Sequence, residues 1–143
     1  MDRYLDTTQA GPTYLGQEGV AKAVVESLHR GVLLGHYTLG AWTIMSNHIH
    51  LLLLPKVAPS RLLKSLKRTS AREANRILRR TGETFWQAES YDHWVRDDAE
   101  WNRIAHYTEV NPVKAGLVRR AADYRWSSAA ETSVSAAAAP HDG

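Results

Sequence analysis

Apolar residues recur along residues 17–30 (QEGVAKAVVESLHR) at helical spacing. Val20, Val24 and Leu28 make one stripe with Val25 beside it, and Gly31 is a stop signal. Residues 36–45 (HYTLGAWTIM) read as a strand rich in aromatic and β-branched residues, weakened at Gly40. Met45-Ser46-Asn47 reads as a turn and 47–54 as a second strand, which makes the pair a hairpin that Pro55 ends. Over 59–80 the period is again helical. Leu62, Leu63, Leu66, Ile77 and Leu78 supply an apolar side, with Ser60 as N-cap and Gly82 as C-cap. Residues 84–96 read as a turn and a strand. Residues 97–111 read as a helix that Asp97 or Asp98 caps and that ends before Pro112. The polar stretch 1–16, punctuated by Gly11, Pro12 and Gly16, reads as irregular, and the Ala/Ser-rich tail 131–143 as disordered. The expected order is helix, strand, strand, helix, strand, helix, in one domain spanning 1–130.

Length and composition fit that reading. A chain of 143 residues is long enough for a single domain with its own core. No apolar run approaches a membrane span, and the N-terminus lacks a charged-then-apolar signal pattern. With no cysteine, disulfides and thiolate metal sites are excluded, and a reducing cytoplasm is the simplest setting. The net charge is only +3, but it is unevenly spread. Arg61, Lys64, Lys67, Arg68, Arg72, Arg76, Arg79 and Arg80 crowd the helix expected over 59–80, against Glu73 as its one acid. A basic stripe of this kind suits a phosphate backbone, although charge runs are more commonly just solvated helix faces.

Candidate chemistry centres on Ser46-Asn47-His48-Ile49-His50 and the four leucines that follow. With a side-chain period of 2, His48 and His50 share one face of a strand and Ile49 takes the other. Two imidazoles so placed can grip one divalent cation. Tyr107 and Asn111, four residues apart on a helix, share a face as well. A tyrosine can attack a phosphodiester and form a covalent phosphotyrosine if something assists a phenol whose free pKa is ~10. Asn111 offers an amide oxygen as a third metal ligand. Mg²⁺ prefers oxygen and Mn²⁺ tolerates nitrogen better. Taken singly, each piece has a bland reading: HxH as two strand residues, Tyr107 as an ordinary helix aromatic, Asn111 as a helix-ending residue before Pro112.

The combination resembles the bacterial REP-associated tyrosine transposases, within the single-tyrosine HUH transposases of insertion sequences. AWTIMSNHIHLLLLP (41–55), LKSLKRTSAREANR (63–76), FWQAESYDHWVRDD (85–98) and HYTEVNPVKAGLVRRAADYRWSSA (106–129) carry the likeness, which spans roughly 20–130. It implies a ferredoxin-like α+β sandwich, an antiparallel sheet with the histidines on it and a helix delivering the tyrosine. It further implies metal-dependent cleavage and rejoining of single-stranded or hairpin DNA through a 5′-phosphotyrosine. His48 and His50 then hold Mg²⁺ or Mn²⁺, Asn111 is a further ligand and Tyr107 is the nucleophile. Arg61, Lys64, Lys67, Arg68, Arg72, Arg76 and Lys114 contact DNA, in a bacterial cytoplasmic, nucleoid-associated protein; a homodimer is compatible with the resemblance.

One departure stands out. Relatives begin with a further strand of the type aromatic-Val-Thr-Phe, and no such strand is read in residues 1–20. A sheet short of a strand exposes backbone hydrogen-bonding groups. The second functional reading is accordingly an N-terminally shortened, weak or inactive hairpin-DNA-binding protein. Trp86, Trp94 and Trp126 are candidates for base stacking, but Trp42 and Trp94 are expected in the core. Tyr91 and His93 read as a structural sheet pair, and Glu109 as a solvated acid.

Overall fold

A computed structural model describes residues 3–11 and 13–131. The expected disordered tail therefore lies, but for Glu131, outside the described residues. Seven main elements follow one another: β1 (Arg3–Ala10), α1 (Glu18–Leu33), β2 (Tyr37–Ile44), β3 (His48–Pro55), α2 (Pro59–Leu78), β4 (Trp86–Val95) and α3 (Asp98–Lys114). The strands form one antiparallel sheet in the order β2-β3-β1-β4. This is the ferredoxin-like βαββαβ arrangement, with α3 added after it, and it bears out the expected fold class.

The first strand is present, which corrects the reading of 1–16 as irregular and of the sheet as one strand short. β1 lies between β3 and β4 and pairs with both, from Tyr4↔Leu53 to Gln9↔His48 on one side and from Arg3↔Val95 to Ala10↔Trp86 on the other. Its inward face carries Tyr4, Asp6, Thr8 and Ala10, all buried. Two of those four are polar, so hydrophobic alternation does not reveal the strand. They are accommodated because Thr8 Oγ1 donates to Asp6 Oδ2 (2.7 Å) and the Lys67 ammonium lies 3.8 Å from the other carboxylate oxygen. Burial still raises the Asp6 pKa above its ordinary value, with Thr8 and Lys67 opposing the shift.

α1 and α2 cover one face of the sheet. Val20, Val24 and Leu28 of α1 and Leu62, Leu63 and Leu66 of α2 pack with Ile49, Leu51 and Leu53 of β3. A smaller cluster on the opposite face joins Leu5, Ala41, Leu52 and Val95 to Trp101, Ile104 and Ala105 of α3. Period-2 alternation thus gives β3 two roles. Its odd positions build the helical core, and its even positions, His48, His50 and Leu52, face α3.

Several element ends differ from expectation for local reasons. α1 continues two residues past Gly31, which is required for space: a Cβ there would lie 2.2 Å from the Tyr37 hydroxyl. α2 starts at Pro59 with no side-chain cap and stops at Arg79, whose φ of 58° makes it the left-handed cap in place of Gly82. α3 begins as expected, with Asp97 Oδ1 accepting from Glu100 N (2.8 Å), but it runs through Pro112 to Lys114. Proline's fixed φ is helical, and this close to the helix end it removes only one ladder bond. Trp42 is buried, whereas Trp94, expected in the core, is half exposed on edge strand β4, edge-on to Tyr4. After α3 the chain docks on β2 through Tyr124, whose hydroxyl donates to Ile44 O (2.6 Å), and through a Thr43↔Ser127 bridge. Ser128 there donates to Glu109 (2.5 Å), so that carboxylate is held rather than free in solvent.

Candidate functional site

One row of paired residues crosses the α3 side of the sheet: Thr43 on β2, His50 on β3, Thr7 on β1 and Tyr91 on β4. Directly paired residues point to the same face, so the row runs across the face that α3 covers over β2 and β3. His48 stands beside it on β3, paired with Gln9.

The two imidazoles converge. His48 Nε2 and His50 Nε2 are 3.1 Å apart, with ring centroids at 4.7 Å and planes nearly perpendicular. At metal–nitrogen distances of about 2.0–2.1 Å, two adjacent ligands of one octahedral or tetrahedral ion subtend a separation close to this. The outer nitrogens are held too. His50 Nδ1 lies 2.9 Å from Thr7 Oγ1, and His48 Nδ1 lies 2.7 Å from Asn47 Oδ1. Such second partners fix ring orientation and leave Nε2 as the ligand atom. Burial lowers the pKa of His48. Burial first, and the neighbouring His48 second, bring that of His50 down to about 4. Both rings are therefore neutral at pH 7, as metal ligation requires. Among the described residues, no third His, Cys, Asp or Glu joins them in a metal-sized cluster. A bound cation would complete its shell with an amide, water or phosphate oxygen.

Tyr107 faces this pair from α3. Its ring centroid is 6.5 Å from that of His50, and half of its surface is exposed. The Lys114 ammonium lies 5.1 Å from the centre of the Tyr107 ring. Tyr107 and His50 line one cleft of about 440 Å³ with Leu5, Thr7, Tyr91, Arg103, Ile104 and Thr108. His106 is exposed and diverges from Tyr107, as adjacent helical residues must.

The expected site residues are thus only partly brought together. His48, His50, Tyr107 and Lys114 gather on the α3 face. Asn111 is half buried one turn beyond Tyr107, and among the described residues no hydrogen bond joins its side chain to either histidine. The basic stripe of α2 packs on the opposite face of the sheet. Arg61, Lys64 and Arg68 line a separate cleft of about 340 Å³ with His36 and Ser65. Arg72 is exposed, Arg76 pairs with Glu73 at 2.8 Å, and Lys67 turns inward to Asp6. Among the other cleft residues, Leu5, Thr7, Arg103, Ile104 and Thr108 escaped the sequence reading, which placed Tyr91 beside His93 on one strand face but favoured a structural sheet pair. Thr7 was hidden with its strand. The period-2 relation of Tyr91 to His93 was visible, but nothing in the sequence showed that β4 lies two strands from His50.

Residues 13–111 match the family described as "Transposase IS200 like", and the chain belongs to that family. The fold matches the structure of a REP-associated tyrosine transposase bound to a REP hairpin, with a TM-score of 0.70 at 16% identity, over 97% of this chain and 82% of that one. It also matches a protein from Deinococcus radiodurans R1 assigned as a transposase, with a TM-score of 0.54 at 19% identity, over 75% of this chain and 88% of that one. No curated protein matches the sequence significantly. Among the described residues, no helix is long and apolar enough to cross a membrane.

Proposed function

We propose that this chain is a metal-dependent tyrosine transposase of the REP-associated kind, which cleaves and rejoins single-stranded DNA flanking a hairpin. The observation that carries the reading is the convergence of two neutral Nε2 atoms, 3.1 Å apart, beside a cleft that Tyr107 lines from the other side. His48 and His50 would hold Mg²⁺ or Mn²⁺, and Asn111, one turn from Tyr107, is the proposed further ligand. A cation there supplies Lewis-acid polarisation of a phosphoryl oxygen.

The remaining chemistry belongs to the chain. Tyr107 Oη attacks phosphorus and forms a 5′-phosphotyrosine while the 3′-oxygen leaves as a hydroxyl. The phenol's proton passes to water in the open cleft, and water returns one to the departing 3′-oxygen. Because the phosphotyrosine retains the ester, another 3′-hydroxyl can attack it and rejoin strands with no nucleotide cofactor. Lys114 beside Tyr107 offers positive charge where the phosphate gathers negative charge. Tyr107 and His50 of one chain line the same cleft, which favours attack within a single copy over exchange of tyrosines in a dimer. On the far face, the exposed cations of α2 would hold hairpin phosphates away from the chemistry, positioning the DNA without reading its sequence.

Labelled hairpin DNA with single-stranded arms, incubated with the protein and Mn²⁺ and run on a denaturing gel, tests the reading. A shifted covalent band that EDTA abolishes is the expected result. Salt-sensitive binding without any adduct, whichever metal is supplied, would instead establish the non-catalytic hairpin-binding protein. That alternative drew its support from a missing strand, and β1 removes that support.

A further inference from the structure

We propose that Tyr91 is a stacking platform for the unpaired nucleobase next to the scissile phosphate, so that the cleft beside the histidines is a base-binding subsite. The inference rests on the transposase reading and assigns a ligand to a part of the site which that reading leaves empty.

The cleft is larger and more apolar than phosphate chemistry alone requires. Its volume of about 440 Å³ falls within the range of about 300–1,000 Å³ typical of small-molecule sites. Leu5, Ile104 and Tyr91 give it an apolar lining, with Thr7 and Thr108 as its small polar residues. A phosphodiester would be better served by cations, of which the cleft has Arg103 alone. A flat, weakly polar ring fits this set better: the ring lies against Tyr91.

Tyr91 is exposed yet braced. It leaves 65% of its surface to solvent on edge strand β4, beside the part of the sheet that α3 covers. Its ring meets His93 edge-on at 5.5 Å, and His93 Nε2 is 3.6 Å from Glu100 of α3. An exposed ring held in place loses little freedom when a base stacks on it. Its position in the row matters as well. Tyr91 pairs with Thr7 and Thr7 pairs with His50, so the platform lies two strand spacings, roughly 10 Å, from the histidine backbone. A nucleotide whose phosphate sits at His50 can reach that far with its base. Tyr91 also forms the ridge between this cleft and a second, of about 360 Å³, lined by Thr7, Gln9, Gln87 and Ser90. The strand therefore has somewhere to continue past the ridge.

The test is equilibrium binding of single-stranded dodecanucleotides carrying 2-aminopurine at one position each, with Mn²⁺ present, to the full chain and to its Tyr91→Ala and Tyr91→Phe variants. Stacking quenches the probe at one position. Tyr91→Ala should lose that quench and weaken binding by roughly fivefold to a hundredfold, while Tyr91→Phe, which keeps the ring, should retain both. Unchanged quenching and affinity in Tyr91→Ala would overturn the inference, as would quenching at no position in the unaltered chain. The parallel adduct assay keeps the two ideas apart. Tyr107-dependent adducts with no Tyr91 effect sink the subsite and spare the transposase reading. A Tyr91-dependent quench without adducts does the reverse.

Discussion

The two faces of one sheet use the same strands for opposite ends. Toward α1 and α2, β3 presents Ile49, Leu51 and Leu53, all nearly inaccessible, in a packed core. Toward α3 the same strand presents His48 and His50 beside an open cleft, and Tyr107 above it stays half exposed. One face has the density that holds a fold. The other leaves an open cleft of about 440 Å³ beside the histidines. A rigid strand shared by both explains how two imidazoles can be aimed at one point in a cleft with so little packing of its own. It also separates stability from chemistry, since changes on one face should leave the other's property nearly intact.

Tyr107→Phe is the largest expected break in that comparison. It removes one hydroxyl from an exposed ring, so the fold and DNA binding should persist while covalent adducts vanish from the denaturing gel. Adducts that survive the substitution would remove Tyr107 from the chemistry altogether.

Leu62→Ala acts on the other face. Leu62 is fully buried, and truncating a core leucine typically costs about 2–5 kcal/mol. The denaturation midpoint should fall accordingly, whereas Mn²⁺ affinity measured well below that midpoint should hold. A parallel loss of metal binding in a folded variant would show that the faces are not separable.

Much of this division is legible in the sequence, but unevenly. The histidines' shared face followed from period 2, and the apolar stripes of α1 and α2 from period 3.6. The joint placement of Tyr107 and Asn111 came from helix spacing together with family likeness. β1 was not legible because its buried face, Tyr4-x-Asp6-x-Thr8-x-Ala10, mixes two polar residues into a central strand. The Lys67 contact with Asp6 helps make that face tolerable, and it depends on where α2 crosses the sheet. The basic stripe of α2 was read correctly as a stripe. Its location on the sheet face away from the histidines depends on which side α2 crosses, which no local pattern encodes.

Thr7→Val sharpens the comparison at the seam between the missed strand and the legible one. Valine keeps the shape and the β-branch but removes the hydroxyl partner of His50 Nδ1. Loss of such an outer contact typically lowers metal affinity by about 10–100-fold, and Mn²⁺ titration should read a drop in that range with thermal stability little changed. In the unaltered chain burial lowers the pKa of both ligand rings, that of His50 to about 4. The folded site disfavours both protonated rings, so Mn²⁺ binding should persist as pH falls below the ordinary imidazole value near 6.5 and be lost as the first of the two rings protonates. Half-loss at pH 6.5 or above would mean that a ligand ring is as hydrated as a free one.

The smallest effect is expected from Arg61, Lys64 and Arg68, changed together to Gln. They line a cleft on the face away from the histidines, so at saturating DNA the rate of adduct formation should not move. Their contribution should appear in the salt dependence of hairpin binding. Each lost phosphate contact reduces the slope of log affinity against log salt by about 0.9 for duplex stem or about 0.7 for single strand. Three contacts on the stem therefore flatten the slope by somewhat under three, and a slope that does not change places the DNA wholly on the α3 face. If the adduct rate itself falls at saturation, the strand must wrap from one face to the other under tension. The α2 face would then take part in the chemistry that the histidine face performs.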